Sequence, residues 1–194
     1  AAVGDYGTAV GIGPDTEARH RPRAYEREVE EAAATFGLDP NLLLAIMRVE
    51  SVYQRGIISY VGAIGLTQIM PRTGTLIAHA LGDTDFTTAD LLDPATNLRY
   101  SAWYLASLIR RFDGRLPLAI ASYNGGPHNV RAWLENHART MPLDALLERI
   151  PFEQTHRYVR RVLTHYAAYR AQQGLPMEPL DDTLPTPGAD TIAF

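Results

Sequence analysis

Apolar residues along the chain recur at three- and four-residue intervals, and the runs are punctuated by Gly, Asn-Gly or Pro. That spacing predicts a succession of amphipathic helices. The first covers 25–36, rich in Glu and Ala (EREVEEAAA), with Gly37 as its stop. Asp39-Pro40 opens the second, with Asp as N-cap and Pro at the first helical position, running to Ser51. Its residues 42–47 and 49 are all apolar, so it is expected to be buried nearly all round. A loop over 52–69 follows, then a helix from Pro71 through Ala80 before Gly82. Residues 83–92 form a polar connection containing a short TTADLL turn. A second Asp-Pro start, Asp93-Pro94, launches a long helix to about Phe112, with Leu98, Trp103, Leu105, Leu108 and Ile109 at helical spacing. Helices over 116–123, 128–137, 142–150 and 153–172 complete the set.

No period-2 strand is sustained; GIISYVGAIGL alone has β-like composition, and its glycines interrupt it. The expected fold class is all-α. Residues 1–22 carry Gly and Pro with little periodicity and read as a linker or the remnant of an upstream domain. From Gly174 to the end Pro, Asp and Thr dominate, as in an extended tail. The single domain is therefore expected over 23–173.

Composition narrows the function. With 194 residues and 46% hydrophobic content the chain can bury one sizeable core. No run of 18 apolar residues exists to span a membrane. A net charge of −4 and a pI near 5.9 leave no basic footprint for nucleic acid. Without cysteine there are no disulfides or thiolate metal sites, and none of the six histidines forms an i,i+4 or HExxH pair, so no metal is expected. GxSxG, GxGxxG and P-loop patterns are also missing. The opening AAVGDYGTAV has neither Met nor a charged-then-apolar leader, and reads as a mature protein or an excised part of a longer one.

One carboxylate stands apart. Glu50 ends the apolar helix, on the face of Leu43, Ile46 and Met47, and no Asp or Glu follows it until Asp83. Desolvation and the C-terminal end of the helix dipole both raise a carboxyl pKa, the profile of a general acid at neutral pH. A neighbouring Arg48 or Arg55 would act the other way, and a helix-end Glu that points to water is an equally open reading. A second candidate is AIASYNGGP, where a small apolar helix ends in Tyr123 and Asn124 before two glycines that let a ligand approach the backbone. A helix cap with a core tyrosine explains the same residues.

Taken in order, NLLLAIMRVES, GAIGLTQIMP, ASYNGGP and PFEQTHRYVRRVL resemble the catalytic domain of soluble lytic transglycosylases, over about residues 25–170. The resemblance implies a goose-lysozyme-like helical domain with a cleft for the glycan strands of peptidoglycan. It makes Glu50 the single catalytic acid and base. Ser59 would lie near the reacting N-acetylmuramic acid, and Gln68 and Met70 would line the cleft. Tyr123 and Asn124 match the pair in the family's AYNAG, and Tyr158 the tyrosine of its ETxxYV motif. Packing or loop hydrogen bonding accounts equally for Met70, Gln68 and Tyr158.

The implied reaction cleaves the MurNAc–GlcNAc β-1,4 bond without water, leaving 1,6-anhydro ends and needing no cofactor. Two departures stand out: SYNGG replaces AYNAG, a small-for-small change expected to be tolerated, and Gln154 stands where the family commonly has Glu. A muramidase hydrolase, a non-catalytic peptidoglycan-binding module and, more weakly, a chitinase-like enzyme are the alternatives. The substrate implies the periplasm or envelope of a bacterium, or a phage-borne equivalent, and a monomer is expected.

Overall fold

The computed structural model describes residues 21–137 and 143–177, with 180 and 185 besides. The expected linker over 1–22, all but its last two residues, and most of the tail lie outside the described residues. Helices account for the regular structure: α1 (Glu26–Phe36), α2 (Pro40–Glu50), α3 (Pro71–Leu81), α4 (Pro94–Arg111), α5 (Leu116–Gly125), α6 (Pro127–His137), α7 (Leu143–Leu147) and α8 (Glu153–Gln172). A 3₁₀ turn at Thr88–Leu92 precedes α4, and no strand forms among the described residues, only isolated bridges Ile58–Ile64 and Ile64–Ile69. The expected 142–150 helix is the short α7, and its first residue lies outside the described ones.

Both Asp-Pro starts behave as their chemistry dictates. The Asp39 carboxylate accepts from Asn41 N at 2.9 Å, and that of Asp93 from Thr96 N at 2.9 Å, each answering an otherwise orphaned first-turn donor. Gly37 and Gly82 close α1 and α3 at φ of 68° and 74°, where a Cβ is disfavoured. Several ends differ from expectation by one to three residues. Tyr25 is the left-handed N-cap of α1 rather than its first residue. Helix α5 continues through Asn124 and Gly125, and the chain turns only at Gly126.

Helix α2 is the centre of the molecule: Asn41 through Arg48 are all buried, the result of an apolar run too long for one face. It packs on α8, α1 and α4; α5 fits against both α4 and α8 and contacts α6. Contacts at both ends fix α2 and α8 antiparallel. At one end Asp39 Oδ2 accepts from Tyr166 Oη at 2.9 Å and pairs with Arg170 Nη1; at the other, Glu50 meets Tyr158.

Two apolar clusters result. The larger gathers Leu42–Met47, Leu98, Leu105, Ile120, Val159 and Val162. The smaller, with Ile64, Ile69, Ile77, Leu91, Tyr100 and Leu108, supports the loop over 52–69 and α3. Tyr123 packs against both, so it marks the seam between them.

The 52–69 loop leaves α2 through two left-handed residues, Val52 (φ 51°) and Tyr53 (φ 67°), an uncommon conformation for a β-branched side chain. Its far end is stapled to α4 by Asn97, which is fully buried. Asn97 Oδ1 accepts from Thr67 N (3.0 Å) and Thr67 Oγ1 (2.7 Å), while Nδ2 donates to the carbonyls of Ile64 (3.1 Å) and Leu91 (2.9 Å). Gly65 makes the approach possible: it sits at φ 79°, and a Cβ there would lie 2.3 Å from Leu91 O and 2.5 Å from Asn97 Nδ2.

Candidate active site

Glu50 is the last residue of α2, held by the buried helix before it. Its carboxylate accepts a 2.6 Å hydrogen bond from Tyr158 Oη, donated across from α8. Burial pushes the Glu50 pKa up to about 7, against the opposing pull of the Tyr158 hydrogen bond and the Arg161 charge. Glu50 does not simply point to water. Nor is Arg48 or Arg55 the cation that acts on it. Arg48 lies over the Tyr53 ring, 5.5 Å from its centroid, and the opposing charge comes from Arg161 on α8. Burial first, and the nearby Glu50 charge second, hold the Tyr158 phenol far above its ordinary range, so it remains a proton donor in the hydrogen bond.

Tyr123 and Asn124 arrive at the end of α5. The Tyr123 hydroxyl donates to Thr67 O at 3.1 Å and is 3.0 Å from Ser101 Oγ. The phenol thus joins the Asn97-stapled loop to the seam beside Glu50. Its pKa is raised by burial and by the Glu50 charge, in that order. Asn124 Oδ1 accepts from Thr155 Oγ1 at 3.0 Å, tying α5 to α8. Gly125 faces the same threonine, and a Cβ there would be 3.1 Å from Thr155 Oγ1. The preceding Ser122 is fully buried, and its hydroxyl has no partner among the described residues.

The loop candidates are held locally. Ser59 Oγ accepts from Ala63 N at 2.9 Å and braces a turn closed by Gly62 N to Ser59 O. The tip carries Tyr60, 100% exposed, flanked by exposed Ile58 and Val61. Gln68, left-handed at φ 53°, spends its amide on the carbonyls of Gly65 (2.8 Å) and Ile57 (3.3 Å). Met70, 41% exposed, precedes α3 and is not packed into either core.

A cavity of about 410 Å³ opens beside the acid, lined by Val49, Glu50, Asn124, Glu153, Gln154, Arg157, Tyr158 and Arg161. It brings together four of the residues singled out from sequence: Glu50, Asn124, Gln154 and Tyr158. Tyr123 stands behind this wall through Thr67, whereas Ser59, Gln68 and Met70 are not among the lining residues. Arg161 and Asn97 escaped the sequence reading. Arg161 could have been found from its position three residues after Tyr158 on one helix face. Asn97 carries no local signal, because its partners lie up to 33 residues away.

Comparison with known proteins agrees with this geometry. The transglycosylase SLT domain family matches residues 27–142. The soluble lytic murein transglycosylase of Escherichia coli K12 is 35% identical over 154 residues, covering 79% of this chain and 24% of the relative. Among solved structures, the 70 kDa soluble lytic transglycosylase of Escherichia coli superposes with a TM-score of 0.80 at 32% identity, over 86% of this chain and 28% of that one. An inactive glutamate-to-glutamine mutant of lytic transglycosylase Slt from Pseudomonas aeruginosa gives 0.76 at 34% identity, over 83% and 26%. The chain spans about a quarter of the length of the curated soluble murein transglycosylases it matches.

Proposed function

The chain belongs to the transglycosylase SLT domain family, and on that premise we propose that it is a lytic transglycosylase of peptidoglycan. In this reading residues 23–173 are the catalytic domain, acting as a monomer in the bacterial envelope, in its periplasm. Protonated Glu50 donates to the oxygen that links N-acetylmuramic acid to N-acetylglucosamine, and the bond from C1 to that oxygen breaks. The carbonyl of the sugar's own N-acetyl group closes on C1 and holds the developing positive charge. Glu50, now a carboxylate, takes the proton of the C6 hydroxyl, whose oxygen displaces the acetamido group from C1. The product is a 1,6-anhydro end; the acid is regenerated and no water is consumed.

The observation that carries this reading is a half-buried carboxyl on the cavity wall, with its pKa pushed up to about 7 and its direction set by a tyrosine hydroxyl. Such a group can give a proton and take one back near neutrality. The inactive glutamate-to-glutamine form of the Pseudomonas relative supports dependence on one carboxyl. Asn124, Gln154 and Tyr158 would line the sugar path, with Ser59, Gln68, Met70 and Tyr123 shaping the loop beside it.

A hydrolase is the second reading, because Glu153 puts another carboxylate on the cavity wall. It favours that reading less, since Glu153 is exposed and paired with Arg157 on its own helix. Mass spectrometry of soluble products from purified peptidoglycan decides between them. Anhydro-muropeptides that disappear with Glu50→Gln are expected; reducing ends heavier by one water would make the chain a muramidase.

A further inference from the structure

Five residues of α8 line the cavity, and four of them, at positions 154, 157, 158 and 161, have the spacing of a single helix face. Five of the polar groups around it are engaged. Tyr158 donates to Glu50, Arg157 pairs with Glu153, and Asn124 Oδ1 accepts from Thr155. Arg161 is not: among the described residues no hydrogen bond or ion pair reaches its guanidinium, although it lines the same wall as the acid. Position 154, two turns back on the same face, carries an uncharged glutamine whose side chain is also unengaged among the described residues, so it adds no negative charge to the cavity wall. With Glu153 and Arg157 cancelling, the cavity holds one uncompensated positive charge whenever Glu50 is protonated.

An accessible, unneutralised guanidinium beside a protonated acid is suited to a planar anion that arrives with the substrate. We propose that Arg161, on a wall where Gln154 adds no negative charge, forms a subsite for a free carboxylate borne by the glycan strand. The proposal rests on the peptidoglycan reading above. Muramic acid carries a lactyl ether that ends in a carboxyl group. It is free where no peptide is attached, and amide-linked where one is, the carboxylates then lying farther out on the peptide. The subsite therefore selects among strands by the state of that substituent.

Muramyl glycan oligomers of one length test this in three forms: lactyl carboxylate free, capped as the methylamide, and extended by an L-Ala-D-Glu dipeptide. In wild type kcat/KM is expected to favour the free carboxylate over the methylamide by about tenfold, the scale of one charge-assisted contact. That ratio falls to about one in Arg161→Gln, is partly kept in Arg161→Lys, and drops in Gln154→Glu, whose new carboxylate offsets the positive charge of the cavity. Because each ratio is taken within one variant at one pH, changes in Glu50 ionisation cancel. If the preference appears with the dipeptide form instead, and is lost in Arg161→Gln, the carboxylate is the peptide's rather than the lactyl group's. A ratio unchanged by Arg161→Gln, in protein that melts like wild type, overturns the proposal. Calorimetric titration of Glu50→Gln with the three oligomers separates this from the activity itself. The same order of affinities, abolished on adding Arg161→Gln, supports the subsite even if wild type turns over nothing; equal affinities for all three refute it.

Discussion

Tyr158 reaches Glu50 at 2.6 Å from a helix whose other end is clamped by Arg170 and Tyr166 on Asp39. The acid and its orienting hydroxyl therefore belong to two helices held in register at both ends, and the pair does not depend on a loop for its alignment. Tyr158→Phe removes a hydrogen bond that favours the ionised carboxylate, so the Glu50 pKa moves further up. The alkaline limb of the pH–kcat/KM profile should shift upward by up to about one unit, with kcat reduced about tenfold as the carboxyl loses its fixed direction. Steady-state rates on peptidoglycan across pH check both.

The wild-type pH profile follows from the same carboxyl. With a pKa of about 7 the acid form is lost above neutrality, and activity should fall about tenfold per pH unit on that limb. Stability moves with it. The folded pKa lies above the ordinary value of 4.5, so the folded state binds this proton more tightly than the unfolded chain. The stabilisation is full below about pH 4.5 and is lost as the pH rises through about 7. Glu50→Gln should therefore be inactive yet more stable than wild type by on the order of 2 kcal/mol at neutral to alkaline pH, with the difference closing towards pH 4. Urea unfolding at a series of pH values gives the comparison.

Asn97→Ala would leave the Thr67 N–H and the Ile64 and Leu91 carbonyls without their buried partner. A loss on the order of 3 kcal/mol is expected in urea unfolding. Activity should fall even below the unfolding transition, because Thr67 also receives the Tyr123 hydroxyl.

Gly65→Ala places a Cβ against the Leu91 carbonyl at a backbone angle that side chains avoid. Destabilisation of about 3 kcal/mol or more is expected, read as a lower melting temperature. Gly37→Ala, at a similar φ with nothing within 4 Å of the added Cβ, should cost much less and serves as the control for backbone strain alone.

Ser122→Ala should stabilise. The hydroxyl is fully buried without a partner among the described residues, so removing it relieves a desolvation penalty of about 1 kcal/mol. A higher urea midpoint at unchanged m-value is the expected result.

Much of this was legible in the sequence because its signals are local. Asp39-Pro40 and Asp93-Pro94 announce helix starts, Gly37 and Gly82 announce stops, and an apolar run ending in a lone Glu50 announces a carboxyl at the edge of the core. What was hidden depends on partners distant in the chain. Arg48 and Arg55 were the obvious cations for Glu50 by proximity in sequence, yet the charge that acts on it comes from Arg161, brought in by the packing of α8 on α2. Asn97 looks like an ordinary polar residue in a first helical turn, and only the close approach at Gly65 turns it into a buried staple. The motif resemblance puts Ser59 near the reacting sugar and Gln68 along the cleft, and the hydrogen bonds that brace both side chains on the loop's own backbone carry no local sequence signal.

None of the four Asn97 hydrogen bonds touches the exposed tip that carries Ile58, Tyr60 and Val61. Anchorage is thus confined to the root of the loop, like a handle that leaves its blade free. The tip can be exchanged as a cassette, by drift or by a library randomised at residues 58, 60 and 61, while the root keeps Thr67 and Tyr123 aligned beside the acid. Substitutions can therefore accumulate at the tip without a matching loss of fold.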